Sequence, residues 1–134
     1  MITLRALEDL YCKVFVDAPL DAQELARLIS LRVGEALPWN TVRTDNLELE
    51  VRNNDDFLPA QKRKHRDDFV YYRLYLDIDP VSGTARDKYV NEVADLLQWL
   101  WGQAFPAVAA CDFEDELPKH ELGSFYRHHN NEEL

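Results

Sequence analysis

Cysteine, glycine and positive charge are all scarce in this 134-residue chain, and each scarcity closes off a class of chemistry. The two cysteines, Cys12 and Cys111, are too few and too far apart for a disulfide framework or a paired zinc signature. Only four glycines occur, Gly34, Gly83, Gly102 and Gly123, and they never gather into a loop that could cradle a phosphate. No run of 18 apolar residues is present to span a membrane, and Glu8 and Asp9 interrupt the N-terminal segment before it builds the apolar core of a secretion signal. The expected compartment is therefore the cytoplasm, with both cysteines reduced. Fifteen lysines and arginines face 25 aspartates and glutamates, for a net charge of −10. Binders of nucleic acid gain affinity by neutralising phosphates with Lys and Arg, so that class is disfavoured, as is an anionic membrane surface.

Catalytic signatures are missing too. Ser30, Ser82 and Ser124 lack the flanking glycines of a nucleophile elbow. Cys12 and Cys111 sit in apolar runs, where a free cysteine is a small buried hydrophobe and not a nucleophile. His120, His128 and His129, with Glu114, Asp115 and Glu121, are ligand types for zinc, but no His-Glu-x-x-His spacing holds them on a helix. Asp77 and Asp79 form an Asp-x-Asp at a strand end that could meet a hard cation through oxygen, or could simply be solvated acids shaping a turn. The expectation is no catalytic residue, no metal and no cofactor.

What is present describes an ordinary globular domain, 46% hydrophobic and 30% charged. A chain of this length buries roughly two-thirds of its unfolded surface, enough for an unstapled core. The segment from Thr84 to Asp112 organises it. Val90, Val93, Ala94, Leu97, Leu100, Trp101 and Ala104 recur with the period of one helical face, capped by Thr84 and Asp87 and stopped by Gly102 and Pro106. Ala107 to Cys111 follows as a short apolar strand.

Upstream, Tyr11 to Val16 reads as a strand with Cys12, Val14 and Val16 on one face and Tyr11, Lys13 and Phe15 on the other. Asp21 and Glu24 make a capping-box pattern, with Leu20 and Leu25 as the staple of a helix over 21–36 that stops before Pro38. Thr41 to Asn53 reads as one extended segment, with a bulge preferred over a hairpin at Asp45-Asn46. Residues 54–68 form a long irregular stretch holding Lys62, Arg63, Lys64 and Arg66, and Phe69 to Ile78 reads as a central strand carrying Tyr71, Tyr72 and Tyr75. The basic run is bracketed by aspartates and expected to make local ion pairs. The tyrosines lack the basic groove that a base-stacking sheet needs.

Strand, helix, strand, strand, helix, strand predicts an α+β fold of the ferredoxin-like split βαβ type, with two helices on one face of a four-stranded antiparallel sheet and with Cys12 and Cys111 on neighbouring strands. Residues 1–118 are expected to form one domain and 119–134 a polar tail.

The segment from Asp112 onward holds seven acids against Lys119 and Arg127. Its run Asp112-Phe113-Glu114-Asp115-Glu116-Leu117 interleaves apolar side chains with carboxylates, the anatomy of a recognition patch with Phe113 and Leu117 as anchors. With its acidic bias, short length and lack of an active-site motif, the chain resembles the small immunity proteins of bacterial toxin systems. That resemblance implies a cytoplasmic inhibitor that caps a basic toxin domain. The leading expectation is a non-enzymatic module that binds a basic protein. The alternatives are a small enzyme or ligand-binding domain with a pocket beside the 54–68 loop, and a structural subunit that forms a homodimer through its sheet.

Overall fold

The computed structural model describes residues 8–65 and 68–119. In chain order these form β1 (Cys12–Val16), α1 (Ala22–Arg32), β2 (Glu35–Leu37), β3 (Thr41–Arg43), β4 (Leu47–Asn53), β5 (Leu74–Pro80), α2 (Arg86–Gly102) and β6 (Ala107–Cys111), with short 3-10 turns at Ala60–Lys62, Phe69–Tyr71 and Glu114–Glu116. The strands join in one antiparallel sheet of order β2-β3-β4-β5-β1-β6. The fold is α+β, but the sheet has six strands where the sequence predicts four.

The two additional strands come from chain that the sequence assigns to the first helix and to the bulge. Asp21 caps α1 as expected: its carboxylate accepts the Glu24 N–H at 2.8 Å, and the Glu24 carboxylate accepts the Asp21 N–H at 2.9 Å. The helix nevertheless ends at Arg32, not at residue 36. Gly34 then takes a left-handed φ of 73°, and a Cβ there would lie 2.4 Å from the Arg43 carbonyl oxygen, so the chain turns tightly back as β2 against β3. Asp45-Asn46 forms a hairpin turn and not a bulge. The Thr44 hydroxyl accepts the N–H groups of Asn46 and Leu47, at 3.1 and 3.0 Å, and the Thr44 N–H donates to Leu47 O at 2.8 Å.

Alternation sorts the sheet into two faces. Cys12, Val14, Val16, Leu47, Leu49, Val51, Leu74, Leu76 and Ile78 point one way and are buried with Leu25 and Ile29 of α1 and Val93, Leu97 and Leu100 of α2 in a single core. Both helices thus cover this face, α1 over β2 to β4 and α2 over β6. Tyr89, outside the expected helix stripe, is buried and donates its hydroxyl to Leu10 O at 2.5 Å. Trp101 is half-buried and donates its indole N–H to Ala107 O at 3.0 Å. The start of α2 departs from expectation, since its N-cap is Ala85 and Thr84 makes no side-chain cap.

The strand expected over Phe69 to Ile78 begins only at Leu74. Ahead of it the chain is pinned as a loop: the Asn54 side-chain amide donates to Val70 O (2.9 Å) and Tyr72 O (2.7 Å), and the Leu58 N–H to Tyr71 O (2.9 Å). Tyr71 and Tyr72 consequently lie off the strand, and Tyr75 is on it. No helix among the described residues is long and apolar enough to cross a membrane.

Candidate functional site

The acidic run after β6 divides into core and surface. Phe113 is 1% exposed, packed edge-on against Tyr89 at 5.8 Å between ring centroids, and Leu117 is 5% exposed. The sequence predicts both as surface anchors; instead they fold under β6 and close the end of the core. Burying two such side chains is worth about 1.5–3 kcal/mol each, more than a weak surface role could offset. Asp112, Glu114, Asp115 and Glu116 are exposed, but two of them are committed within the fold. Glu114 accepts the Cys111 N–H at 3.2 Å. Glu116 takes a bidentate pair from Arg86, at 2.6 and 2.9 Å, and Arg86 also grips Glu8 at 2.7 and 2.8 Å. Lys119 is exposed at the end of the described chain, and the tail histidines His120, His128 and His129 lie outside the described residues.

A denser set of carboxylates sits on the sheet face away from the helices. In the β4–β5 register Glu48 stands opposite Asp79, and Glu50 opposite Asp77. Like charges directly opposite one another destabilise a sheet, and here they occur in two successive pairs. Each carboxylate follows from the strand period. Leu47, Leu49 and Val51 point into the core, so Glu48 and Glu50 must point out, as Asp77 and Asp79 do around Ile78.

Two of the four have side-chain partners within the fold. Glu50 pairs with Arg52 at 3.4 Å, and Asp77 accepts the Tyr11 hydroxyl. Burial, together with the charges of Asp9, Asp77 and Glu48, raises the Asp79 carboxyl above its ordinary value. Lys13 is opposite Asp77 in register, yet its Nζ lies over the Tyr75 ring at 4.1 Å and near Phe15 at 5.1 Å. Arg43 is opposite Glu48, and no ion pair among the described residues joins the two. The Asp77-x-Asp79 pattern is also a candidate cation site in the sequence, but no three metal-ligating side chains converge among the described residues.

At the β2 edge of the sheet the β2–β3 hairpin presents Trp39, 87% exposed. Trp39 and Asn40 both adopt left-handed backbone, φ 65° and 57°. For a bulky side chain that conformation costs about 1–2 kcal/mol. The tip is held by the Val51 N–H donating to Asn40 O at 2.9 Å, and Thr41 stands opposite Glu50, which sets the hairpin tip beside the carboxylates. A strained backbone displaying a bare indole is the kind of feature that recognition sites retain.

The remaining candidates resolve differently. A cleft of about 590 Å³ opens between the helices over Leu47 and Leu49, with Ile29, Leu96 and Trp99 as walls and Arg32, Lys88, Glu92 and Asp95 at the rim. Beside the 54–68 loop there is a smaller pocket of about 310 Å³ next to Asp17 and Arg63. Arg63, from the basic run, is structural: it pairs with both Asp17 oxygens at 3.1 and 3.2 Å, donates to Leu58 O at 2.8 Å and stacks on Tyr72. Lys62 and Lys64 are exposed, and Arg66 lies outside the described residues.

Compared with protein-family models, curated proteins and solved structures, the chain matches none. Sequence reasoning misses the opposed acids and the Trp39 tip as a site. The signal for the acids is there, since both strands carry i, i+2 carboxylates, but only the register sets them face to face.

Proposed function

We propose that the protein is a non-enzymatic protein-binding module whose open sheet face receives a basic protein partner. The observation that carries this reading is the pair of like-charge couples, Glu48–Asp79 and Glu50–Asp77, held in register on the centre of the sheet's open face. A sequence under no constraint but folding gains by replacing one member of each couple. Basic side chains from a partner turn the same repulsion into attraction, and a field of this sign also speeds encounter. Trp39 supplies the apolar anchor that the acids lack.

The partner-binding role thus moves from Asp112–Leu117 to β4, β5 and the hairpin tip. An inhibitor of a basic toxin, the function implied by the resemblance to immunity proteins, is the form of this reading that the charge supports. The frame is compatible with a split βαβ, ferredoxin-like core formed by β1, α1, β4, β5, α2 and β6. In that description β2 and β3 are an insertion that carries Trp39.

A second reading has its own support. The inter-helix cleft of about 590 Å³ has an apolar floor and a charged rim, features of a small-ligand site.

The test is capture from the native host with the immobilised chain. A basic protein should be retained by the wild type and lost with Glu48→Gln, Asp77→Asn and Asp79→Asn combined. Retention should survive Asp112→Asn with Asp115→Asn. A partner that ignores the first set and is lost with the second would return the site to the 112–116 segment.

A further inference from the structure

Cys12 and Cys111, far apart in the chain, stand directly opposite each other on β1 and β6. The kind of pair they form follows from the ladder. The Asp17 N–H donates to Pro106 O at 2.8 Å, one step beyond the Val16–Ala107 pair. Hydrogen-bonded and non-hydrogen-bonded pairs alternate along an antiparallel ladder. Counting back from Asp17–Pro106, Phe15–Val108 and Lys13–Ala110 are bonded pairs, and Cys12–Cys111 is a non-bonded one. A separate observation agrees, because the Cys111 N–H turns away from β1 to the Glu114 carboxylate. In non-bonded pairs the Cα atoms approach to about 4.5 Å, and a disulfide bridges Cα atoms about 4.4–6.8 Å apart. Both side chains therefore leave the same face at a separation that a disulfide accepts.

The two thiols are not equivalent. Cys12 is fully buried on an inner strand. Cys111 is partly exposed, at the last residue of an edge strand, so a small reagent can reach it. A hydrogen bond from Cys12, assisted by the Phe113 N–H, holds the Cys111 thiol below its ordinary value, while the same bond and burial push Cys12 up. A partly exposed thiol facing a buried one across a non-bonded pair is the arrangement of an attacking and a resolving cysteine.

We propose that Cys12 and Cys111 form a reversible peroxide-sensitive site that closes into a cross-strand disulfide. The Cys111 thiolate attacks one oxygen of hydrogen peroxide, the O–O bond breaks, and hydroxide leaves, giving a sulfenic acid. The Cys12 sulfur then attacks the Cys111 sulfur, the S–O bond breaks, and the departing hydroxide takes the Cys12 proton as water. Overall two thiols and one peroxide give a disulfide and two waters, and a dithiol reductant returns both thiols. The bond clamps edge strand β6, and with it the Phe113 turn, to β1.

The experiment treats the full-length protein with stoichiometric hydrogen peroxide, followed by intact mass and peptide mapping. The expected product has lost two hydrogens, carries a Cys12–Cys111 link, reverts with dithiothreitol, and melts on the order of 10 °C higher. Cys12→Ala should instead accumulate a sulfenic acid on Cys111 that a 1,3-diketone traps, and Cys111→Ala should stay unmodified. Sulfinic acid or intermolecular dimers in place of the internal link would overturn the proposal, as would unchanged thiols. Should either variant fail to fold, peptide mapping of the oxidised wild type decides alone.

Discussion

Phe113 and Asp79 act in opposite directions on the stability of this protein, and each can be measured alone. Phe113 fills the core beneath β6 against Tyr89, so Phe113→Ala should cost about 3–5 kcal/mol in denaturant unfolding while leaving the acidic face intact. A loss under about 0.5 kcal/mol, the scale of surface substitutions, would place the ring outside the core. Asp79 is held above its ordinary value of 3.8 by burial and by neighbouring carboxylates. A carboxyl whose folded value is raised binds its proton more tightly folded than unfolded. Its contribution is full below 3.8 and is lost as the pH rises through the folded value. Asp79→Asn should flatten that part of the stability–pH curve and stabilise the protein at pH 7 by a few tenths of a kcal/mol, because the site is partly exposed and screened. Destabilisation by Asp79→Asn at pH 7 would mean that the carboxylate has a favourable partner.

At the scale of elements, local chemistry sets some boundaries and tertiary contacts set the others. The start of α1 is legible in the sequence because Asp21 and Glu24 cap it with their own side chains, and Asp21→Ala should cost about 1 kcal/mol in unfolding free energy. The end of α1 is not legible, since Val33 to Leu37 continues an apolar pattern that serves a helix or a strand equally. What decides it is a long-range contact, the Arg43 carbonyl that leaves room only for Gly34. Phe69 to Ile78 is similarly ambiguous, a largely apolar and aromatic run whose first turn is diverted by the Asn54 amide. β6 is legible in full because Pro106 and Asp112 bound it on both sides. The candidate site is legible only as alternation: Glu48, Glu50, Asp77 and Asp79 can be assigned outward, but pairing register is not written in either strand alone. The 54–73 segment offers a further test. Arg63, its side chain 5% exposed, ties this loop to Asp17, and Arg63→Ala leaves acceptors unsatisfied. The variant should lose about 1–3 kcal/mol and exchange the Leu58 and Asn54 amides faster than the β4 and β5 amides. Uniform exchange across the sheet and loop would show that the segment has no independent latch.

On the scale of the whole molecule, the charge of −10 is not spread evenly in its consequences. Near the chain's end, Glu114 and Glu116 are engaged by Cys111 and Arg86, whereas the acids of β4 and β5 oppose one another on an open face beside the Trp39 hairpin. Fields from exposed carboxylates fall off over about 8 Å at physiological salt, so only acids near the docking surface should govern encounter. Trp39→Ala should then leave association nearly unchanged and speed dissociation by about tenfold or more, as loss of a buried anchor does. The most direct measurement is the association rate of the captured partner at low and at physiological salt, with the wild type and with Glu48→Gln/Asp77→Asn/Asp79→Asn. The account predicts a rate about tenfold slower for the variant at low salt, with the difference shrinking as salt rises. Equal rates at low salt, with the variant folded, would contradict it.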